Sequence, residues 1–229
     1  MIAGDVHIGA GRRRAEKPGQ LVDSEVELEV KGPPPYVSRG GVKLANALDT
    51  LKVPVEGRMA LDVGASTGGF TDCLLQRGAA HVIALDVAYG ELDWRIREHE
   101  RVTVIERTNA RSITPDDLPY APDLIVSDVS FISLTKVLPA VLATAGPTFD
   151  CLAMVKPQFE VGKDRIGKGG VVRDLELRRE AVRTVAASVD VAVMGSAPSA
   201  LAGPSGNRET FLWLAEPGRP GAVEEVDAW

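Results

Sequence analysis

Residues 59–70 read MALDVGASTGGF, a short apolar run that passes directly into a glycine-rich turn. Glycines in this position let the backbone turn tightly and let a ligand approach the N-terminus of the helix that follows. The turn lacks the lysine of a phosphate-binding P-loop and matches the dinucleotide-binding motif only loosely, so a turn that caps a helix and binds nothing is the alternative. The stretch predicts a buried strand followed by a turn that binds a nucleotide-like cofactor.

The same alternation of apolar runs and helical patterns continues along the chain and defines the fold class. Apolar runs occupy residues 59–63, 81–87, 102–105, 123–127 and 151–155. Alternation of this kind is typical of a parallel sheet covered by helices on both faces. Two further strands, at residues 191–194 and 210–214, are expected to complete a seven-stranded, mostly parallel sheet. The sequence therefore predicts an α/β doubly wound, Rossmann-like fold.

Three helices are predicted around the sheet from apolar residues that recur at helical spacing. The first follows a cap at Ser38 and leaves Lys43 beside its apolar face rather than within it. The second spans residues 134–142, and the third begins at the cap Asp174. Their apolar faces consist of Leu44, Ala47, Leu48 and Leu51, of Leu134, Val137, Leu138, Val141 and Leu142, and of Val182, Val185, Ala186 and Val189.

Length and composition restrict the class of protein. With 229 residues, of which 45% are hydrophobic and 25% charged, the chain can form one large globular domain and a small appendage. No apolar run approaches the roughly 20 residues of a membrane-spanning helix, and the N-terminus lacks the pattern of a signal peptide, so we expect a cytoplasmic protein without membrane attachment. Cys73 and Cys151 lie in apolar stretches without metal-binding spacing, and we expect two buried thiols.

The charge of the chain does not decide whether it binds nucleic acid. The formal net charge is -6, whereas proteins that neutralise phosphates usually carry an excess of lysine and arginine. Basic residues are nevertheless clustered, and clustering matters more than the total. The clusters are Arg12, Arg13 and Arg14; Arg39 and Lys43; and Lys163, Arg165, Lys168 and Arg173. Each of them is either a site of RNA contact or an ordinary solvated surface.

Two charged residues at predicted strand ends are candidates for cofactor binding and chemistry. Asp86 follows the second strand, roughly 20 residues after the glycines, where a carboxylate accepts hydrogen bonds from the hydroxyls of a ribose. Either a nicotinamide cofactor or S-adenosylmethionine fits this arrangement. Lys156 follows the very apolar residues 152–155, and a lysine at such a strand end can remove or orient a hydroxyl proton. Most single lysines are surface residues, which is the alternative for Lys43.

Five motifs taken together resemble a known family. They read YVSRGGVKL at residues 36–44, LDVGASTGGFTD at 61–72, SDVSFIS at 127–133, VKPQFE at 155–160 and GNRE at 206–209. In this combination the chain resembles the hemolysin A family of rRNA 2′-O-methyltransferases, whose catalytic domain is of the FtsJ type. The resemblance spans nearly the whole chain. It implies S-adenosylmethionine as the cofactor, ribosomal RNA or a ribosomal subunit as the partner, and methylation of a ribose 2′-hydroxyl, with a cytidine as the suggested target.

The resemblance also implies roles for individual residues. Its catalytic tetrad corresponds to Lys43, Asp128, Lys156 and Glu209. We expect Lys156 to deprotonate or orient the 2′-hydroxyl, with Asp128 as its electrostatic partner near the cofactor. Lys43 and Glu209 are expected to position the substrate. The residues expected to bind the cofactor are Gly64, Ser66, Gly68, Gly69 and Phe70 at its methionine end, Asp86 at its ribose, Asn109 at its adenine, and Asp128.

The first 32 residues differ in texture from the rest of the chain. Residues 22–30 alternate apolar and acidic side chains as a half-exposed strand does, and the motif KPG precedes them at residues 17–19. By resemblance this stretch is the back half of an S4-type RNA-binding domain without its helical front half. We expect a partial S4-like segment at residues 1–32, a linker at 33–37, an FtsJ-like methyltransferase domain at 38–217 and a flexible tail at 218–229.

Other classes of protein explain fewer of these motifs. A base N-methyltransferase would carry Asn or Asp followed by two prolines and an aromatic residue at the fourth strand, where this chain has Asp128-Val129-Ser130. A 5-methylcytosine enzyme needs an activated cysteine at a strand end, and neither cysteine has such a setting. A dehydrogenase accounts for the glycine turn alone. A membrane-lytic protein and a non-catalytic RNA-binding protein are the alternatives of a different class.

Overall fold

The computed structural model describes residues 6–9, 13–15, 20–30 and 34–228. The chain divides into two compact units, Met1–Pro35 and Tyr36–Trp229. Arg12, the KPG motif at residues 17–19 and residue 33 of the predicted linker lie outside the described residues.

The first unit contains a small antiparallel sheet. Its strands are β1 (Val6–Ile8), β2 (Arg13–Arg14) and β3 (Leu28–Val30), with β1 in the centre. The strand predicted for residues 22–30 is therefore too long. Asp23 accepts hydrogen bonds from the backbone N–H groups of Glu25, through its carboxylate, and Val26, through its carbonyl, which closes a turn where extended backbone was expected.

The second unit is built on a seven-stranded sheet, which confirms the predicted fold class. The strands are β4 (Met59–Val63), β5 (His81–Leu85), β6 (Val102–Ile105), β7 (Leu124–Ser127), β8 (Asp150–Val155), β9 (Ala192–Pro198) and β10 (Thr210–Ala215). Their order is β6-β5-β4-β7-β8-β10-β9. The first five strands of this order run parallel, whereas β10 is antiparallel to both of its neighbours. The strand order reverses between β4 and β7, and in open sheets of this type ligands bind outside the carboxyl ends of the strands at that point.

Helices cover both faces of the sheet and create two apolar layers. The helices are α1 (Arg39–Leu51), α2 (Gly69–Gln76), α3 (Trp94–Arg97), α4 (Leu138–Leu142), α5 (Pro157–Glu160) and α6 (Leu175–Ala186). Helices α1 and α2 pack on one face of the sheet, and α4 and α6 pack on the other. Alternate residues of each strand enter the two layers: in β8, Leu152 and Met154 face α1 and α2, while Ala153 and Val155 face α4 and α6. Both cysteines are buried, as predicted.

The predicted helix starts are confirmed, but one predicted helix is irregular. Ser38 and Asp174 cap α1 and α6, each accepting a backbone N–H at the first turn. The helix predicted for residues 134–142 begins instead as a 3₁₀ turn, Leu134–Lys136, and becomes α-helical only at Leu138. Pro139 explains the difference, because it has no N–H to bond to the carbonyl four residues earlier. Among the described residues no helix has the length and apolarity needed to cross a bilayer.

A polar network closes the amino ends of the central strands. Arg58 pairs with Asp123 and with the buried Asp150, both at 3.0 Å, and thereby joins the starts of β4, β7 and β8. The Asp150 carboxylate also accepts the indole N–H of Trp213 in β10 at 2.9 Å. This edge of the sheet is consequently tied together by charges, and the opposite edge is left for ligands.

The segment after residue 217 makes specific contacts with the sheet and with α6. The N–H of Val223 donates to the carbonyl of Val193 at 2.7 Å, and Asp227 pairs with Arg179 of α6 at 2.6 Å. Ala228 is buried in the layer beneath α6. Burial of this apolar side chain favours contact of the segment with the rest of the second unit.

We expect Gly41→Ala to destabilise the second unit by about 1–3 kcal/mol, because overpacking outweighs the helix propensity that alanine adds. A Cβ at position 41 would lie 2.3 Å from Cγ of Tyr36. Gly146→Ala is the matched control, because its Cβ would meet nothing closer than 3.7 Å. Urea unfolding of both variants measures the difference, and equal stabilities would contradict the close approach of Tyr36 to α1.

Candidate active site

The glycine-rich turn forms the floor of the site, at the carboxyl end of β4. Gly64 has φ +85°, and a Cβ there would lie 2.9 Å from the backbone oxygen of Asp128. Gly68 caps α2 with φ 92°. Both positions need glycine, because a side chain would be strained at Gly68 and would collide with the β7 loop at Gly64. The turn therefore leaves its backbone open to a ligand, as the sequence predicted.

Asp86 holds this turn from the end of the neighbouring strand. Its carboxylate accepts the backbone N–H of Ser66 at 2.7 Å and that of Ala88 at 2.8 Å. A cavity of about 510 Å³ opens beside it and is lined by Gly64, Ser66, Asp86 and Asn109 among others. We call it the Asp86 cavity. Asn109 lies at its wall, where its side-chain oxygen accepts the N–H of Arg111 at 3.1 Å and caps a 3₁₀ turn.

A second cavity, of about 520 Å³, contains all four residues of the predicted tetrad: Lys43, Asp128, Lys156 and Glu209. We call it the lysine cavity. It shares the lining residues Gly64, Ser66, Asp128 and Ser130 with the Asp86 cavity, so the two volumes adjoin along the turn. At about 500 Å³ each, they fall within the range of small-molecule sites in proteins.

Lys156 follows β8, a strand whose six residues are all buried, and its side chain is held by two partners. The ammonium Nζ lies 2.5 Å from Oδ1 of Asp128 and donates to the hydroxyl of Ser130 at 2.8 Å. Lys156 is only 8% exposed, so its charge needs this compensation. The three groups therefore form one connected unit at the edge of the lysine cavity.

Lys43 is buried, which excludes the alternative of an ordinary surface lysine. It is 6% exposed and forms an ion pair with Glu209, which is 3% exposed and precedes β10. Glu209 is itself packed against the backbone of Gly203, where a Cβ would lie 2.6 Å from Oε1. The pair joins residues 166 positions apart, and no local pattern in α1 could indicate it.

Two residues at the site carried no assigned role in the sequence. Ser130 belongs to the quoted SDVS motif and is the hydroxyl partner of Lys156. Phe131 follows it with φ 63°, an uncommon backbone angle for a bulky residue, and its side chain is 92% exposed. The Phe131 ring lies 5.4 Å from that of Phe159, centroid to centroid, and lines the Asp86 cavity. The exposure and the backbone angle of Phe131 mark it as a candidate site residue, and neither can be read from the sequence.

Phe70 lines the lysine cavity but is largely a core residue. It is 3% exposed, and its ring lies 5.8 Å from that of Phe211. Gly69, which precedes it, begins α2 and has no room for a side chain, because a Cβ would lie 2.1 Å from Oγ of Ser38. The predicted methionine end of the cofactor site is therefore shaped by the close packing of α1 on α2.

Asp62 in β4 is a buried carboxyl beneath the turn. Its Oδ2 accepts the hydroxyl of Thr71 at 2.7 Å, and its Oδ1 has no hydrogen-bond partner among the described residues. Burial raises the pKa of this carboxyl to about 7, the negative charges of Asp128 and Asp86 act in the same direction, and the hydrogen bond from Thr71 opposes them. Asp62 is therefore a neutral acid over most of the acidic range.

The seven-stranded sheet, in which the antiparallel strand β10 lies between β8 and β9, and the comparisons with known proteins together place the chain in the class of Rossmann-like methyltransferases. A fibrillarin from Aeropyrum pernix, solved with natively bound S-adenosyl-L-methionine, shares this fold with a TM-score of 0.54, at 16% identity and over 86% of this chain and 85% of its own.

The model of the FtsJ-like methyltransferase family matches residues 36–216, and the chain belongs to this family. It is 49% identical over 217 residues to the 16S/23S rRNA (cytidine-2′-O)-methyltransferase TlyA of Mycobacterium tuberculosis, covering 90% of this chain and 81% of that protein. A solved hemolysin-named protein from Streptococcus thermophilus is 40% identical with a TM-score of 0.80, over 95% of this chain and 81% of its own. The resemblance that the motifs indicated is confirmed.

We expect Asp62→Asn to reduce the loss of folding stability that occurs as the pH rises from about 4 to about 7. The folded carboxyl has the higher pKa, so its preference for the proton stabilises the protein fully below the unfolded pKa and is lost as the pH rises through the folded pKa. Asparagine has the same shape and cannot ionise. Urea unfolding at a series of pH values measures the effect, with Asp116→Asn, an exposed carboxylate, as control. Parallel pH profiles for wild type and Asp62→Asn would refute the assignment.

Proposed function

We propose that this chain transfers the methyl group of S-adenosylmethionine to the 2′-hydroxyl of a ribose in ribosomal RNA, with a cytidine as the target nucleotide. One observation carries the proposal. Two buried lysines, Lys43 paired with the buried Glu209 and Lys156 paired with the half-buried Asp128, face a cavity that adjoins the glycine-rich turn and Asp86. A cofactor whose ribose and adenine occupy the Asp86 cavity would extend its methionine end along the shared wall into the lysine cavity, where the hydroxyl would also lie.

The residues present fit S-adenosylmethionine. Gly64 leaves the turn without a side chain where a ligand must approach the backbone, and Asp86 presents a carboxylate whose oxygens keep lone pairs after accepting the N–H groups of Ser66 and Ala88. These are the groups that a cationic amino acid and a ribose require. We propose Gly64, Ser66, Gly68, Gly69, Phe70 and Asp128 for the methionine end, Asp86 for the ribose and Asn109 for the adenine. When bound, the cofactor supplies a methyl group that is electrophilic because it sits on a sulfonium.

Lys156 is the residue we propose to act on the 2′-hydroxyl. As an ammonium, its Nζ orients the hydroxyl oxygen by donating a hydrogen bond. Once this ammonium has released a proton to solvent, the neutral amine accepts the hydroxyl proton as the oxygen becomes the nucleophile. Asp128, 2.5 Å away, stabilises the ammonium that results, and Ser130 fixes the direction of the side chain. Lys43 and Glu209 form a compensated pair that positions the sugar without adding net charge.

The RNA substrate is supported by the named activity of the Mycobacterium tuberculosis relative and by side chains around the cavities. Phe131 offers an exposed aromatic ring beside the Asp86 cavity, and unstacked bases are commonly held on such rings. Arg39 is exposed at the rim of the lysine cavity and donates to the carbonyl of Ala202 at 2.7 Å. Its guanidinium keeps further donors for a phosphate.

We also propose that the first unit contributes to RNA binding, as a partial S4-like segment at residues 1–32, joined through residues 33–37 to the methyltransferase domain at 38–217. The small antiparallel sheet of β1, β2 and β3 is compatible with this interpretation. The chain covers 81% of the length of the Mycobacterium tuberculosis relative.

We expect Lys156→Ala to lower the rate of methyl transfer about 10²- to 10⁴-fold while cofactor binding stays close to that of wild type. The assay uses labelled S-adenosylmethionine and isolated ribosomal subunits, followed by nuclease mapping of the 2′-O-methyl group, and calorimetry gives the cofactor affinity. Lys136→Ala removes an exposed lysine and serves as control. Wild-type turnover in Lys156→Ala would refute the mechanism, and no incorporation by the unaltered protein would refute the function.

We expect Asp86→Asn to weaken S-adenosylmethionine binding roughly 10- to 100-fold, because a charged acceptor of hydrogen bonds is lost. Asparagine can still accept one of the two backbone N–H groups, so the turn keeps part of its support. Calorimetric titration measures the dissociation constant, and Asp116→Asn is again the control for loss of one surface charge. An unchanged dissociation constant would show that Asp86 does not contact the cofactor.

A further inference from the structure

A third cavity, of about 450 Å³, lies beside the loop that carries Glu209. Three arginines line it: Arg173 before α6, Arg178 in the first turns of α6, and Arg208 next to Glu209. We call it the arginine cavity. The loop of residues 203–208 contributes to two cavities, because Pro204 lines the lysine cavity and Ser205, Gly206 and Arg208 line the arginine cavity.

The positive charge of the arginine cavity is not compensated by an ion pair within the described residues. Within the part of the chain that the structure describes, none of its three guanidinium groups forms an ion pair with a carboxylate. Other arginines of the same region are paired: Arg179 of α6 contacts both Asp227 and Glu176 at 2.6 Å, and Arg165 contacts Glu180 at 2.7 Å. Two residues of the predicted basic cluster at 163–173 therefore differ. Arg165 is paired with Glu180 of α6, whereas Arg173 lines the arginine cavity.

Arg178 is the arginine of this cavity with a buried donor, its Nε, that has no hydrogen-bond partner among the described residues. Burial lowers the pKa of its guanidinium, the neighbouring positive charge of Arg208 lowers it further, and Asp174 offsets only part of the effect. A buried donor and a repelled cation are both stabilised when an anion enters.

Hydrogen bonds of Asn207 hold the wall of the arginine cavity. Asn207 is 1% exposed, and its side chain bridges the loop to the segment before α6. Its oxygen accepts the N–H of Val172 at 2.9 Å, and its nitrogen donates to the carbonyl of Gly170 at 2.8 Å. The carbonyl of Asn207 in turn accepts the N–H of Gly203 at 2.9 Å. These hydrogen bonds hold the loop that places Arg208 at the arginine cavity and Glu209 at the lysine cavity.

We propose that the arginine cavity binds a backbone phosphate of the RNA, next to the nucleotide whose ribose enters the lysine cavity. A phosphodiester is the anion that matches, because guanidinium groups bind its oxygens in pairs and because phosphates recur along a strand on either side of the target sugar. Arg173 and Arg208 are exposed, so a strand that extends beyond the lysine cavity can reach them. This assignment rests on the proposed function, since it takes RNA as the polyanion.

The test compares Arg178→Gln, Arg208→Gln and Arg208→Lys with Arg179→Gln, which removes the same charge from the same helix but from a paired residue. Binding of a labelled single-stranded RNA oligonucleotide is measured by fluorescence anisotropy at several salt concentrations. We expect the two glutamine variants of the cavity to bind RNA roughly tenfold more weakly and to lower the slope of log affinity against log salt by about 0.7. Arg208→Lys should recover most of the slope, and Arg179→Gln should match wild type.

Calorimetric binding of S-adenosylmethionine, which should be unchanged in all four variants, shows that each one is folded. Wild-type RNA affinity and salt slope in both Arg178→Gln and Arg208→Gln would overturn the proposal, even if the enzyme methylates rRNA as proposed. Conversely, a wild-type protein that transfers no methyl group would refute the function while the RNA titration still tests the cavity. Heat stabilisation by inorganic phosphate that depends on Arg178, together with unaltered RNA binding, would mean that the cavity takes a small phosphate and would also overturn it.

Discussion

Two lysines lie buried at the carboxyl edge of the sheet, and the need to compensate each ammonium group organises everything around them. A buried charge without a partner is strongly destabilising, and removing one member of such a pair costs about 3–5 kcal/mol. Lys43 comes from α1 and finds Glu209 before β10, while Lys156 after β8 finds Asp128 after β7. Four elements therefore have to meet at one point. The same requirement draws α1, which precedes the sheet in sequence, onto the edge where the cavities open.

Ion pairs lie at both edges of the sheet, but they have different roles. At the amino edge, Arg58 forms ion pairs with Asp123 and Asp150, and these pairs hold the strands together. At the carboxyl edge, the pairs face cavities and keep hydrogen-bonding capacity for a ligand. Glycine makes this possible, because Gly64 has no side chain to fill the space between the turn and Asp128. The proposed chemistry is thus confined to the carboxyl edge of the sheet.

The loop of residues 203–208 connects the lysine cavity, proposed for the ribose, with the arginine cavity, proposed for a phosphate. Glu209, which follows the loop, compensates Lys43, and Arg208 lines the arginine cavity. Because Asn207 clamps the loop to residues 170 and 172, the spacing between the two cavities is fixed by hydrogen bonds within the protein. A chain with a net charge of -6 can therefore present a local anion site, since the field near the surface depends on which charges remain unpaired.

The sequence by itself determined the order and type of the main elements, because apolar periodicity and helix caps are local signals. The strands from Met59–Val63 to Thr210–Ala215, the caps at Ser38 and Asp174, and the glycine turn with Asp86 all followed from neighbouring residues. It failed where one residue altered a local pattern, at Pro139. Motif resemblance nominated Lys43, but only the tertiary structure decided that it is buried, since its partner lies 166 residues away. The convergence of Arg173, Arg178 and Arg208 was equally invisible in sequence, because whether a charge is paired depends on contacts that only folding creates.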